Sequence, residues 1–149
     1  MRNQKGFTLV ELVAVILIAG ILGTILVVKL VDRQPFQAEG YAGVVYHNLQ
    51  YTRILAVSLN DRYRIVFSAS SYQILDSAGT PIVNPETGSV TTSYPTGVTV
   101  TPNTTVIFDS LGKPYNASSV ALSSLLTLTV TAGTSTDTVT VTPETGFIE

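Results

Sequence analysis

Glu11 is the residue of this chain with the clearest chemical task, because it stands at the head of an apolar run, 12–28, that contains no charged side chain. A carboxylate in the middle of a membrane costs about 2.5–3.5 kcal/mol, so Glu11 needs a cation beside it. If a peptidase cleaves between Gly6 and Phe7, the new α-ammonium of Phe7 lies one helical turn from Glu11. That ammonium can neutralise the carboxylate of its own chain or of a neighbouring chain. If that cleavage occurs, these residues predict charge pairing between Glu11 and the α-ammonium of Phe7.

The other ionisable residues do not form a catalytic or metal-binding pattern. The chain contains one histidine, His47, and no cysteine, which disfavours a zinc site and a Ser-His-Asp triad. Four aspartates fall at predicted turns: Asp61, Asp76, Asp109 and Asp137. Asx hydrogen bonding explains aspartates at turns, and calcium needs a cluster of oxygen ligands that the sequence does not show. We therefore expect neither an enzyme nor a bound cofactor or metal.

The composition indicates one domain with an appended apolar helix. The chain has 149 residues, of which 45% are hydrophobic and 12% charged, whereas soluble domains average roughly 25% charged residues. About 120 residues follow the apolar run, enough for a core that needs no disulfide. The formal net charge is −2, and loss of Arg2 and Lys5 would lower the basic count from 8 to 6 against 10 acidic residues. A weakly acidic domain is a poor candidate for nucleic-acid binding.

The segment 7–30 is long enough to cross a membrane. Its 24 residues would form a helix of about 36 Å, and the hydrocarbon core is about 30 Å thick. The apolar region of a secretory signal peptide is shorter and precedes its cleavage site. Arg2 and Lys5 favour a cytoplasmic N-terminus. We therefore expect a single-pass inner-membrane protein whose C-terminal domain lies in the periplasm.

An amphipathic helix is predicted at 37–59, after a kink or break marked by Pro35 and Gly40. Asn60 and Asp61 are expected to end this helix, and its apolar face should lie on a sheet. The predicted face consists of Ala38, Ala42, Val45, Leu49, Ala56 and Leu59, with Leu55 beside them.

Alternating apolar and polar residues after residue 61 predict an antiparallel β domain. Strands are expected at 63–67 and 72–76 as one hairpin, at 98–100, at 105–108, and at 126–130 and 138–142 as a second hairpin around a loop at 133–137. Residues 80–97 are predicted to form a long loop. In the second hairpin the core face should be Leu126, Leu128, Val130, Val139 and Val141. The predicted fold class is α+β, with a long N-terminal helix, first transmembrane and then amphipathic, packed on an antiparallel β domain.

The run Lys-Gly-Phe-Thr-Leu-Val-Glu at 5–11, followed by an apolar helix, resembles the signature shared by type IV pilins and type II secretion pseudopilins. Every position of that signature is matched. The resemblance implies cleavage after Gly6 by a prepilin peptidase, N-methylation of Phe7, and contact between Glu11 and a neighbouring N-terminus in a filament. One departure is visible: many pilins have a proline late in the apolar run, whereas the first proline here is Pro35.

Three later segments, 50–57, 108–114 and 142–148, resemble the globular domain of H-type minor pseudopilins and FimT-like minor pilins. Their order and spacing are more specific than any one of them alone. The fold of that family is a long N-terminal helix on a two-sheet antiparallel β domain, which agrees with the prediction from the residues. Its members are non-catalytic and join initiating or tip complexes of pseudopili and pili.

The resemblance implies a structural subunit of a type II secretion pseudopilus or a type IV pilus. The expected divisions are a leader at 1–6, a transmembrane and assembly helix at 7–30, an amphipathic helix at 31–60 and a periplasmic β domain at 61–149. Expected partners are other pilin or pseudopilin subunits, the prepilin peptidase, the inner membrane and the assembly platform. After assembly the filament would be periplasmic or extracellular.

Two alternative functions stay open from the sequence. The first is a DNA-binding minor pilin for DNA uptake, although no Lys or Arg follows Lys113. The second is a pilus-borne adhesin, for which the long polar loop at 77–97 is the candidate ligand site.

Overall fold

The structure, a computed structural model, describes the backbone of residues 8–30 and 34–149 and the side chains of 8–22 and 36–149. The chain divides into two compact units, 1–33 and 34–149. The first unit contributes helix α1 (Leu9–Leu30). Within the described residues, no helix meets the combined length and apolarity needed to cross a membrane. The span expected at 7–30 therefore stays a prediction.

The second unit consists of one helix and two antiparallel sheets. Helix α2 (Gln34–Ser58) is followed by β1 (Tyr63–Phe67), β2 (Ser71–Leu75), β3 (Thr92–Ser93), β4 (Val98–Thr101), β5 (Thr105–Phe108), β6 (Pro114–Tyr115), β7 (Leu126–Ala132) and β8 (Ser135–Val141). One sheet has the order β3-β2-β1-β5-β6 and the other the order β4-β7-β8. The predicted α+β class with a two-sheet antiparallel domain is confirmed.

Helix α2 is longer than predicted and continues through Gly40. Pro35 is its second residue, where a missing N–H is tolerated because it has no partner in the helix. Of the kink or break predicted at Pro35 and Gly40, a break at Gly40 is wrong, because α2 continues through Gly40. One glycine in a helix costs only about 1 kcal/mol, and packing offsets that cost. The predicted end is confirmed. Asn60 adopts a φ of 51° and the N–H of Asp61 donates to the carbonyl of Ala56 at 3.1 Å, the pattern of a Schellman cap.

One face of α2 packs on both sheets and supplies much of the core. The buried residues that the periodicity predicted are Ala38, Ala42, Val45, Leu49 and Ala56. Leu59 was predicted to be buried but is 57% exposed, because it lies beyond the last helical residue. Three further buried residues of this face are Tyr41, Asn48 and Thr52. The hydroxyl of Thr52 is satisfied by the carbonyl of Asn48 at 2.7 Å, which makes its burial tolerable.

The second predicted hairpin is confirmed, with a shorter turn than expected. Ala132 pairs with Ser135, so only Gly133 and one further residue form the turn, and Gly133 has a φ of 59°, as two-residue hairpins require. Asp137 was predicted to lie in this turn but lies within β8, opposite Val130. Leu126 is half-buried, and the other predicted core residues of this hairpin are Leu128, Val130, Val139 and Val141, all buried.

The remaining strands confirm the predicted pattern and add two short ones. β1 and β2 form the predicted hairpin, and β4 and β5 join different sheets. The two-residue strands β3 and β6 were not predicted, because a period of two cannot be recognised over two residues. Apart from β3 and a bridge at Pro81, residues 80–97 are the irregular loop that was expected.

Candidate assembly site

Glu11 closes a capping box at the start of α1. Its backbone N–H donates to the hydroxyl oxygen of Thr8 at 3.3 Å, and its carboxylate oxygen Oε2 accepts from the backbone N–H of Thr8 at 3.4 Å. The Thr8 hydroxyl also lies 3.5 Å from Oε2. This reciprocal arrangement satisfies backbone donors that a helix start leaves without partners. It was not predicted, although Thr-x-x-Glu at 8–11 is its sequence signal.

The capping box leaves part of the Glu11 carboxylate available. Both side-chain contacts use Oε2, and Oε1 has no partner among the residues described. The Glu11 side chain is exposed, so a cation can reach Oε1 from outside the chain. Gly6 and Phe7 lie outside the described residues, and the predicted pairing of Phe7 with Glu11 stays a prediction.

The apolar side chains of α1 that the structure describes, within 9–22, are exposed on all sides of the helix. Exposed fractions run from 47% to 79% for Leu9, Val10, Leu12, Val13, Val15, Ile16, Leu17, Ile18, Ile21 and Leu22. A shallow hollow of about 360 Å³ lies at Gly20, between Ile16 and Ile21. A helix that is apolar all round is covered in its working state, either by lipid or by other protein. This part of α1 is therefore a surface for burial, and Glu11 is its one charge.

A second feature lies in the β domain, where Arg53 joins two turns to α2. Its Nη2 donates to the carbonyl of Thr145 at 3.1 Å, and its Nε lies 3.4 Å from the carbonyl of Gly112. The three segments that carry the resemblance, 50–57, 108–114 and 142–148, thus meet at one side chain. Their spacing in the sequence reflects a structural contact.

Glycine is required at both turns that Arg53 contacts. Gly112 and Gly146 have φ values of 78° and 60°, which L side chains adopt only with strain. A Cβ at Gly146 would overlap the carbonyl oxygen of Gly112, and a Cβ at Gly112 would lie 2.9 Å from Nε of Arg53. Beside these turns Lys113 pairs with Glu144 at 2.6 Å, and that hydrogen bond raises the pKa of Lys113.

Comparisons with known proteins agree with this geometry. Residues 1–27 match the family model described as the prokaryotic N-terminal methylation motif. The fold matches a crystal structure of the type IV minor pilin FimU from Pseudomonas aeruginosa PAO1, with a TM-score of 0.53 and 14% identity over 75% of this chain and 86% of FimU. The chain carries the N-terminal methylation motif and has a fold like that of a type IV minor pilin.

A second crystal form of FimU gives a TM-score of 0.52 and 15% identity over 74% of this chain and 90% of FimU. No curated protein matches the sequence significantly. The methylation motif covers Gly6, Phe7 and Glu11, and the fold likeness covers most of the chain. At this level of identity the likeness to FimU concerns the fold alone.

In this pilin-like domain, Asp109 organises the turn that Arg53 contacts. Its Oδ1 accepts from the backbone N–H groups of Leu111 and Lys113, both at 2.9 Å, and its Oδ2 accepts from the hydroxyl of Tyr115 at 3.0 Å. Burial alone would raise the pKa of Asp109, but these hydrogen bonds outweigh burial and hold that pKa below its usual value.

Other predicted turn aspartates behave similarly. Asp76 accepts from the N–H of Thr80 at 2.7 Å, and Asp61 accepts from the hydroxyl of Ser77 at 2.6 Å. The hydrogen bond from Ser77 lowers the pKa of Asp61. His47 is exposed on α2. Among the described residues, no three His, Cys, Asp or Glu side chains are grouped to hold a metal ion.

The loop at 77–97 is attached to α2 by a buried polar network. The Nδ2 of Asn84 donates to Oδ1 of Asn48 at 2.7 Å and to the hydroxyl of Tyr72 at 3.1 Å. The Nδ2 of Asn48 in turn donates to Glu86 at 3.2 Å. The middle of this loop is therefore fixed to the core, and its exposed residues flank that anchor.

Proposed function

We propose that the chain is a minor subunit of a type IV filament, either a type IV pilus or a type II secretion pseudopilus. One observation supports this most: an N-terminal methylation motif over 1–27 includes most of helix α1, whose described apolar side chains are exposed. In the precursor, lipid would cover that helix and anchor the chain. In the filament, helices of neighbouring subunits would cover it, so burial between proteins replaces burial in lipid.

In this proposal, prepilin peptidase cleaves between Gly6 and Phe7 and exposes the α-ammonium of Phe7, which is then methylated. Glu11 pairs with that ammonium on a neighbouring subunit. Oε1, which has no partner among the described residues, and the exposure of the carboxylate support such a contact. Since an unpaired carboxylate is costly among apolar helices, the pairing would fix the register of the subunits.

The basic residues of the β domain favour this role over DNA binding. Four cations lie in the unit 34–149, and each has a partner within that unit. Arg53 contacts Thr145, Arg62 lies 5.1 Å from the ring centre of Tyr115, Arg64 donates to Ser77 at 3.0 Å, and Lys113 pairs with Glu144. Phosphate binding needs cations that are grouped and available.

The test of this function separates the charge of Glu11 from its capping role. Glu11→Gln keeps a capping side chain but removes the charge, whereas Thr8→Ala removes the reciprocal cap and keeps the charge. Each variant is expressed in cells that assemble the filament, and the subunit in sheared filaments is quantified. We expect Glu11→Gln to reduce incorporation at least tenfold, an order of magnitude set by loss of one buried charge pair, and Thr8→Ala to incorporate well. Normal incorporation of Glu11→Gln would contradict the proposal.

A further inference from the structure

The outer edge of β8 is only partly occupied. At one end, the N–H of Thr140 donates to the carbonyl of Glu149 at 2.7 Å, and the N–H of Glu149 donates to the carbonyl of Thr140 at 3.2 Å. Because successive backbone groups in a strand point to opposite sides, Thr136 and Thr138 present their backbone groups on the same outer side as Thr140.

No described segment pairs with the outer edge of β8 at Thr136 or Thr138. The N–H of Thr138 donates to Oδ1 of Asp137 at 2.8 Å, so this donor is held by an adjacent side chain. Among the described residues, the outward carbonyl and N–H of Thr136 have no partner, so a new strand can pair with them. A free strand edge of this kind is a template for an added extended peptide.

The free edge is also negatively charged. A hollow of about 470 Å³ is lined by Ser135, Thr136 and two carboxylates, Glu39 from α2 and Asp137 from β8. Within the described part of the chain, neither carboxylate forms an ion pair. A lysine or arginine on an added strand would therefore meet two carboxylates that form no ion pair among the described residues. Pairing with β8 of a second copy would instead bring two Asp137 side chains together, which like-charge repulsion disfavours.

The opposite edge of this sheet is protected. β4 is the other edge strand, and Pro95 and Pro102 flank it. Proline has no N–H to donate, so the extension of pairing along β4 is blocked at both ends. β8 is consequently the edge of this sheet that can accept a strand.

We propose that an extended basic segment of another protein adds to β8 at Thr136 and Thr138 and places a lysine or arginine between Glu39 and Asp137. The C-terminal residues 147–149 already pair with the same edge, so the added segment would lie in line with them along β8. This binding surface does not depend on the role proposed for α1.

The first experiment compares two labelled hexapeptides, TVKVTV and TVEVTV, for binding to the full chain in neutral detergent micelles at low ionic strength. Fluorescence anisotropy measures binding, and hydrogen exchange measures protection of the amide of Thr136. We expect the lysine peptide to bind and to slow exchange at Thr136, and the glutamate peptide to do neither. Equal binding of both peptides, binding of neither, or dimerisation through β8 without peptide would overturn the proposal.

Variants then test the two parts of the surface. Thr136→Pro removes the outward N–H but no bond to β7, and should abolish binding of the lysine peptide. The double variant Glu39→Gln with Asp137→Asn removes both charges. The amide oxygen of the second change still accepts from the N–H of Thr138. This variant should weaken binding of the lysine peptide about fivefold or more. Glu144→Gln, a loss of charge elsewhere, is the control and should bind normally. If Thr136→Pro fails to fold, as circular dichroism would show, unchanged affinity of the double variant would still refute the proposal.

Discussion

Arg53 and Thr145 are 92 residues apart in the sequence and are joined by a 3.1 Å hydrogen bond from Nη2 to the carbonyl oxygen. The same guanidinium reaches Gly112. Helix α2, the turn at 109–113 and the turn at 143–146 are thereby held together at the end of α2. We expect this contact to stabilise the domain, with little direct part in binding.

Gly146→Ala tests how tightly these turns are packed. A Cβ at Gly146 would overlap the carbonyl oxygen of Gly112, so we expect the free energy of unfolding to fall by about 3 kcal/mol or more. Gly79→Ala is the matched control, since Gly79 has a φ of 84° and nothing near its Cβ position. Gly79→Ala should lose only about 1–2 kcal/mol of the free energy of unfolding, through backbone strain. Urea unfolding measures both, and equal losses would show that the overlap is relieved.

Tyr41→Phe is expected to stabilise the domain. The Tyr41 side chain is 9% exposed, and its hydroxyl has no hydrogen-bond partner among the described residues. Burial, together with the nearby Tyr72, Tyr94 and Glu86, raises the pKa of Tyr41. Removing an unsatisfied buried hydroxyl should raise the free energy of unfolding by about 1 kcal/mol.

The control for Tyr41→Phe is Tyr72→Phe. The Tyr72 hydroxyl accepts a hydrogen bond from Asn84 at 3.1 Å, so this variant should lose about 1 kcal/mol of stability. Thermal unfolding of the two variants gives the comparison. A destabilised Tyr41→Phe would mean that the hydroxyl of Tyr41 has a partner, such as an ordered water.

Asp109 should make the stability of the domain depend on pH. Its pKa is lowered in the folded state, so it stabilises the fold above the unfolded value of about 3.9 and loses this effect as pH falls through the folded pKa. Asp109→Asn should be less stable than the unmodified chain at pH 6, and the difference should shrink as pH falls below about 4. Denaturant unfolding at several pH values measures the difference. A difference that stays constant with pH would contradict the assignment.

The sequence pattern predicted the parts of the fold that depend on local periodicity. The alternation at 126–142 placed Leu128 and Val139 in the core, and the three- and four-residue steps in α2 placed Val45 and Leu49 there. The motif at 5–11 likewise predicted the methylation family that the comparison found.

Features that depend on distant partners were not predicted. Asn48 and Thr52 are buried because hydrogen bonds satisfy them, and one of those partners is Asn84, 36 residues away from Asn48. The contact of Arg53 with Gly112 and Thr145 exists only after the sheets form. The capping box of Thr8 and Glu11 is different, since its four-residue signal was present in the sequence.

The most direct test of the account is the intact mass and N-terminal sequence of the chain after expression with a prepilin peptidase. The account predicts a mature chain that begins at N-methylated Phe7, which would supply the ammonium that Glu11 is proposed to bind. A chain that still begins at Met1 under conditions in which a known prepilin is cleaved would contradict the account. Such a chain would be an unprocessed protein, and the proposed assembly would lose the charge on which its register depends.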